Sequence, residues 1–374
     1  MRKFIDVVST RKTLRRNNSF PPRPVSALVF ALLLCFFAFS AGCVISPRRI
    51  VGGGTGSTGS PSPTPTPAPS GNPGVLYVSN PSAASILRFS NAATANGNLA
   101  PAAVITGSLT QLSFPEHLFV DGAADRLFVA NQGGASVLVF DAISTKTGNA
   151  APSRTISGTS TGLNQPVDLA VDTTRNLLYV ADGRDVLVFS SASTAGGNTP
   201  FARDIHAGFV IAAMFLDAAN DRLYLADSAA NAINVYDSAS TLNLTVAPTR
   251  ALTGTSTQLS QPSGVAIDAV GKLIVSNASG NSITVYVNAG AISGNVPPAV
   301  TISGANTTLS GPAQIAVNKS STLVEVFVAN TNSSNVPIYS NLGATSGNVS
   351  PSRNIVGAST SLSLPGGIAL DTTR

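Results

Sequence analysis

The sequence predicts an all-β protein, a six-bladed β-propeller of four-stranded antiparallel blades. Three observations carry that expectation. A block ending in an acidic or amide residue recurs from Asp121 to Asp371 in steps of 51, 45, 51, 50 and 53 residues. Each block holds four short segments in which valine, isoleucine and aromatic residues alternate with small polar ones, as half-buried strands require. No stretch after Phe39 carries a helical period. Four strands per repeat of this size describe a small twisted sheet that cannot bury both faces alone and must stack radially. A parallel β-helix is the alternative, but its coils are shorter and would not repeat a four-part hairpin pattern.

In chain order, residues 1–42 read first as a signal peptide. Arg2, Lys3, Arg11, Lys12, Arg15, Arg16 and Arg23 face the single acid Asp6, a net charge of +6, whereas the whole chain is only +5. The remainder is therefore −1, and no basic patch for nucleic acid is expected in it. An apolar run over residues 25–39 is too short for a comfortable membrane span and suits a signal-peptide core. Ser40-Ala41-Gly42-Cys43 follows at once and resembles the bacterial lipobox, with Ser40 where leucine is usual. That resemblance implies lipidation of Cys43 and a place in the bacterial cell envelope, anchored to a membrane. Secretion with cleavage near Gly42, or an uncleaved anchor, stand as alternatives. Residues 43–74 read as a tether, with a flexible run at 52–57 and a polyproline II stretch at 61–69. Both cysteines, Cys35 and Cys43, precede the repeats, so no disulfide can staple them. None is needed, because some 300 residues bury about three-quarters of their unfolded surface.

The propeller is expected over 75–374. The first segment of each repeat follows a proline and ends in Asp or Asn, at 115–121, 166–172, 262–268, 312–318 and 365–371; the copy at 211–217 lacks the proline. The second segment reads Leu76-Tyr77-Val78-Ser79-Asn80, Leu127-Phe128-Val129-Ala130-Asn131 and so on. The third alternates, as in Ser136-Val137-Leu138-Val139-Phe140. The fourth follows a loop often containing Gly-Asn, as in Pro152-Ser153-Arg154-Thr155-Ile156. The second, third and fourth segments each occur six times from residue 76 on, but the first copy of the first segment is missing and its sixth copy ends the chain. The final strand should therefore complete the sheet begun at residue 75, closing the ring with both chain ends in one blade. Closure removes the free strand edges that invite aggregation.

The stretches Pro262-Ser-Gly-Val-Ala-Ile-Asp268, Leu273-Ile-Val-Ser-Asn277 and Asn281-Ser-Ile-Thr-Val-Tyr286 resemble the NHL repeat. The arginine that often precedes the isoleucine in that repeat is replaced by Ser282. The resemblance covers 75–374 and implies an extracytoplasmic six-bladed propeller. Such families include binding modules and lactonase- or lyase-type enzymes, so fold alone does not assign function.

Asp121, Asp172, Asp217, Asp268 and Asp371 end the first segments and are expected to accept backbone N–H bonds in the turns that follow. Arg154, Arg203, Arg250 and Arg353 fall on the outermost strands, where a charge guards an exposed edge. The position two after the repeat proline, near the start of each innermost strand, is more informative. It reads His117, Asp168, Ala213, Gly264, Gln314 and Gly367. His117 and Asp168, on adjacent blades, suit a His–carboxylate pair or a weak metal site at the channel mouth. Glu116, His117 and Asp168 are thus the catalytic candidates, and His117, Asp168 and Gln314 the ligand-binding ones. The plain expectation is that they are solvated groups at a rim. The catalytic inventory is otherwise poor: two histidines, glutamate only at 116 and 325, and no nucleophile elbow or phosphate loop. Metal-dependent lactonase-type propellers hold their ion with Glu, Asn and Asp ligands, a set these innermost strands do not offer, so no metal or cofactor is expected.

The sequence thus favours a monomeric, non-catalytic binding or scaffold module, with a protein or glycan on one face of the disc. Polar loops such as Thr159-Ser160-Thr161 would serve either partner through hydrogen bonds. A lactonase- or lyase-like enzyme, or a purely structural surface protein, is the alternative.

Overall fold

The computed structural model describes residues 72–319, 324–342 and 346–374. The expected signal peptide 1–42, the lipidation site Cys43 and nearly all of the tether 43–74 lie outside the described residues. The remainder forms six antiparallel four-stranded sheets, one of them carrying a short fifth strand. From the innermost strand outwards, blade one is Ile368–Asp371, Val75–Asn80, Ser85–Ser90 and Ala103–Ile105. Blade two runs Pro115–Asp121, Arg126–Asn131, Ser136–Asp141 and Arg154–Ile156. Blade three runs Pro166–Asp172, Leu177–Asp182, Asp185–Ser190 and Arg203–His206, with Leu244–Thr245 added in parallel on its edge. Blade four is Ile211–Asp217, Arg222–Asp227, Ala232–Asp237 and Arg250–Thr253; blade five is Pro262–Ile267, Leu273–Asn277, Ser282–Tyr286 and Val300–Ser303. Blade six is Pro312–Asn318, Glu325–Asn330, Val336–Ser340 and Arg353–Ile355.

The ring closes as its strand count requires. Ile368 to Asp371 pair antiparallel with Val78 to Val75, and the Gly74 N–H donates to the Arg374 carbonyl at 3.0 Å. The core is a set of six wedges, one between each pair of neighbouring blades. Tyr77, Ile86, Leu127 and Leu138 fill the wedge between blades one and two. Leu76, Phe89, Phe327 and Ile368 fill the wedge that seals blade six to blade one. Alternation explains this arrangement: successive side chains leave opposite faces of a strand, so each blade feeds two wedges.

The turn aspartates behave as expected. Asp172 Oδ1 accepts from the Thr174 and Arg175 N–H groups, at 3.0 and 2.9 Å, and Asp268 Oδ1 from Val270 and Lys272. Three of the four outer-strand arginines differ from expectation, whereas Arg250 stays within its own blade, where its Nη1 donates to Asp237 Oδ2 at 2.8 Å. Arg154, Arg203 and Arg353 are half-buried and reach across to the next blade, where Arg154 Nη1 donates to the Ala195 carbonyl at 2.8 Å and Arg353 Nη1 to the Ala92 carbonyl at 2.6 Å. They clasp blades together instead of guarding an edge, because each following blade offers unpaired carbonyls beside the guanidinium.

Candidate functional site

The site begins with a backbone irregularity. On the innermost strand of blade three the register runs Pro166↔Asp182 and then Asp168↔Ala181, one residue more on the inner side. The same slip occurs at Ala213 and Gly264, and it spans His117 in blade two and Gln314 in blade six. Such a bulge re-aims the side chain it carries. Five of the six blades thus turn the residue at this position out of the regular ladder, and in blades two and three that residue is His117 or Asp168.

These two meet. His117 Nδ1 lies 2.8 Å from Asp168 Oδ2, at ion-pair distance but off the line of a straight hydrogen bond. Asp168 Oδ1 accepts from the Leu169 N–H at 2.7 Å, and Oδ2 accepts from the Met214 N–H of blade four at 2.6 Å. The solvated rim expected for them is therefore corrected: His117 is 5 % exposed and Asp168 1 %. Neighbouring blades close over the bulge, and a carboxylate with two backbone donors and an imidazole tolerates that burial. Burial alone would pull the His117 pKa down, but Asp168, and after it Glu116, hold it above its ordinary value. Burial, and next the charge of Asp168, raises the Glu116 carboxyl, with His117 opposing. The imidazole is thus a proton carrier, suited to giving a proton or holding an anion rather than acting as a resting base. Glu116 and Asp168 do not gather with His117 as a metal triad; among the described residues the one such group lies elsewhere.

Gln314 is placed differently. Its Oε1 accepts from the Ile368 N–H at 2.6 Å, and its Nε2 donates to the Leu118 carbonyl at 3.4 Å. The amide ties blade six to the innermost strands of blades one and two. One residue further along, Leu118, Leu169, Met214, Val265, Ile315 and Ile368, one from each blade, line a central cavity of about 320 Å³. Gln314 and, further along the same strands, Lys319 also line it. Lys319 Nζ lies 5.1 Å from the Phe215 ring centroid.

A second feature escaped the sequence reading. The residue just before each repeat proline sits at the same mouth, and Phe114, Gln261 and Leu364 hold it with φ of 50°, 50° and 49°, where blade six has Gly311 at 59°. A left-handed backbone is uncommon for bulky residues and costs roughly 1–2 kcal/mol. Phe114 and Leu364 are also 44 % and 43 % exposed, and Val210 at the equivalent place is 58 % exposed. Exposed apolar residues occur on both faces, Val270 reaching 73 %. Phe114 and Leu364 combine exposure with backbone strain beside Glu116 and His117. The available signal was a large apolar residue before proline inside a Ser/Asn/Gly loop.

The fold agrees with comparisons to known proteins. A family profile described as "SMP-30/Gluconolactonase/LRE-like region" matches residues 203–316. The chain is built of six propeller blades. A search of the curated proteins finds no match. Among solved structures, a chain of a nidogen/laminin complex is similar at 12 % identity with a TM-score of 0.57, over 80 % of this chain and 99 % of that one. A functionally unknown protein from Desulfotomaculum acetoxidans DSM 771 is similar at 14 % identity and a TM-score of 0.49, over 78 % and 83 % of the two chains. Hydrazine synthase from Kuenenia stuttgartiensis is similar at 19 % identity and a TM-score of 0.44, over 62 % and 58 %. The first likeness speaks for the fold, and the other two carry no argument.

Proposed function

We propose that this chain is an exported, envelope-anchored propeller that acts as a non-catalytic binding module, taking a protein partner on the mouth face. Residues 1–42 direct export, Cys43 carries the anchor, and the tether 43–74 holds the disc away from the membrane. The observation that supports the binding face is the pairing of exposure with strain at Phe114 and Leu364. Free energy spent on holding a bulky apolar side chain in water and in a left-handed backbone finds its use when a partner covers it. Hydroxyl-rich loops around it supply a polar rim. A photo-crosslinking residue placed at Phe114 or Leu364 in the native envelope should give one discrete protein adduct, while the same residue at Val270, on the opposite face, should give none. Equal adducts from both faces, or adducts to glycan alone, defeat this reading.

An enzyme of the lactonase or lyase type is favoured by a different observation, the buried His117–Asp168 pair. In that reading protonated His117 acts as general acid and Asp168 positions it. Lactone turnover lost in both H117Q and D168N, with folding intact, supports it; turnover indifferent to both removes it.

A further inference from the structure

Five of the six blade junctions follow one plan. A glycine bridges the outer strand of the preceding blade, as Gly148 does to Ile105 and Gly197 to Ile156. The asparagine after it accepts a backbone N–H from that blade, as Asn149 does from Leu109 and Asn198 from Ser160, both at 2.7 Å. The junction between blades three and four departs from the plan. The Gly-Asn pair is absent, and Leu244–Thr245 pairs in parallel with Ile205 and His206 instead. Asn243 Oδ1 accepts the Asp204 N–H at 3.1 Å.

The same junction gathers charge. Asp185 lies directly opposite His206 in the ladder, and Asp204, two residues before His206, shares its face. In blades four and five the matching pairs are Ala232 opposite Thr253 and Ser282 opposite Ser303, with Ala251 and Thr301 in the place of Asp204. None of the other five blades has an ionisable residue at any of the three places. All three changes therefore occur together in one blade and on one face. His206 Nδ1 lies 2.7 Å from Asp185 Oδ1 and 3.6 Å from Asp204 Oδ1. One donor atom from each residue falls within 4.8 Å of the other two. Asp204 Oδ1 is shielded from water and accepts no hydrogen bond. The arginines adjacent in sequence are engaged elsewhere, Arg203 on the Ala239 carbonyl at 3.1 Å and Arg184 on the Gly208 carbonyl at 2.9 Å. Two carboxylates thus share a single imidazole, and among the described residues no Lys or Arg pairs with either.

We propose that Asp185, Asp204 and His206 form a divalent transition-metal site on the outer edge of blade three. One imidazole nitrogen and two carboxylate oxygens suit zinc, cobalt or manganese, whereas calcium and magnesium favour all-oxygen sets. Three protein donors leave at least one position for water or an outside ligand. The ion joins the third and fourth strands of blade three where the usual Gly-Asn clasp is missing, and it satisfies the unpartnered oxygen of Asp204.

Zinc titrated calorimetrically into the full chain, its two cysteines alkylated, tests this. One zinc per chain should bind and raise the melting temperature. D204N and H206Q should each weaken binding about tenfold or more, while H117Q and D168N leave it unchanged. D185N, on a separate strand, replaces D204N if that variant melts early without metal. Absence of stoichiometric binding, binding that survives substitution of the three residues, or binding lost in H117Q overturns the site.

Discussion

At the scale of single residues, the repeat position that reads His117 and Asp168 in two blades reads Gly264 and Gly367 in two others, and each glycine has a physical partner. A Cβ on Gly264 would lie 2.5 Å from the Ala313 carbonyl oxygen and 2.6 Å from Ser276 Oγ. On Gly367 it would lie 2.3 Å from the Glu116 carbonyl oxygen and 2.8 Å from Ser79 Oγ. The two serines fill that space and donate across the junction, Ser276 to Ala313 at 2.5 Å and Ser79 to Glu116 at 2.7 Å. Blades whose inner strand carries a side chain at this position have alanine opposite, as in Asp168↔Ala181 and Ala213↔Ala226. Gly264→Ala should therefore cost about 1–3 kcal/mol in denaturant unfolding, and Ser276→Ala placed beside it should recover part of that loss.

The buried pair predicts a pH dependence. His117 and Glu116 are both raised, so folding takes up protons. The stability His117 contributes is complete below its ordinary value near 6.5 and is lost as pH rises through the higher folded value. Glu116 acts in the same direction from the ordinary carboxylate range upward. The melting temperature should fall between neutral and mildly alkaline pH, and H117Q should flatten that fall. An unchanged slope in H117Q would mean that the pair does not titrate there.

At the scale of elements, hydrophobic wedges, arginine clasps and the Gly-Asn loop recur among the devices that join the blades. The last is the most regular. Asn198 reaches back to cap the turn after the outer strand of blade two, where Gly158 holds φ 119° and leaves room for the asparagine. Asn198→Ala should cost on the order of 1 kcal/mol, the usual loss when a cap acceptor is removed, measured as a shift in urea midpoint. Asn243, at the irregular junction, makes a different bond, so Asn243→Ala should respond to added zinc while Asn198→Ala should not.

At the scale of the whole molecule, closure couples the two ends of the described chain in one sheet. Residues 366–374 supply the inner strand of blade one, bury Ile368 in the wedge with Phe327, and place Arg374 Nη1 2.8 Å from Asp125 Oδ1 of blade two. Their deletion opens two junctions together. A chain ending at residue 365 should melt far below one lacking residues 46–71, and equal melting temperatures for the two truncations would argue against the ring.

The sequence by itself determined the architecture, because period, alternation and strand count are local properties written six times over. It also singled out His117 and Asp168, as the repeat position at which the copies disagree. Their burial and contact were not legible: they come from neighbouring blades, and only the bulge and the wedge between those blades decide how far each side chain is turned inwards. Arg154, Arg203 and Arg353 looked like edge guards for the same reason, as their carbonyl partners belong to the next blade. Gln314 stood out as a ligand-binding candidate, and only the folded chain shows its amide bonded to backbone from blades one and two. Asp185, Asp204 and His206 are individually unremarked in sequence, and only cross-strand register sets them on one face. Short-range physics fixed the blades; contacts between residues distant along the chain fixed the sites.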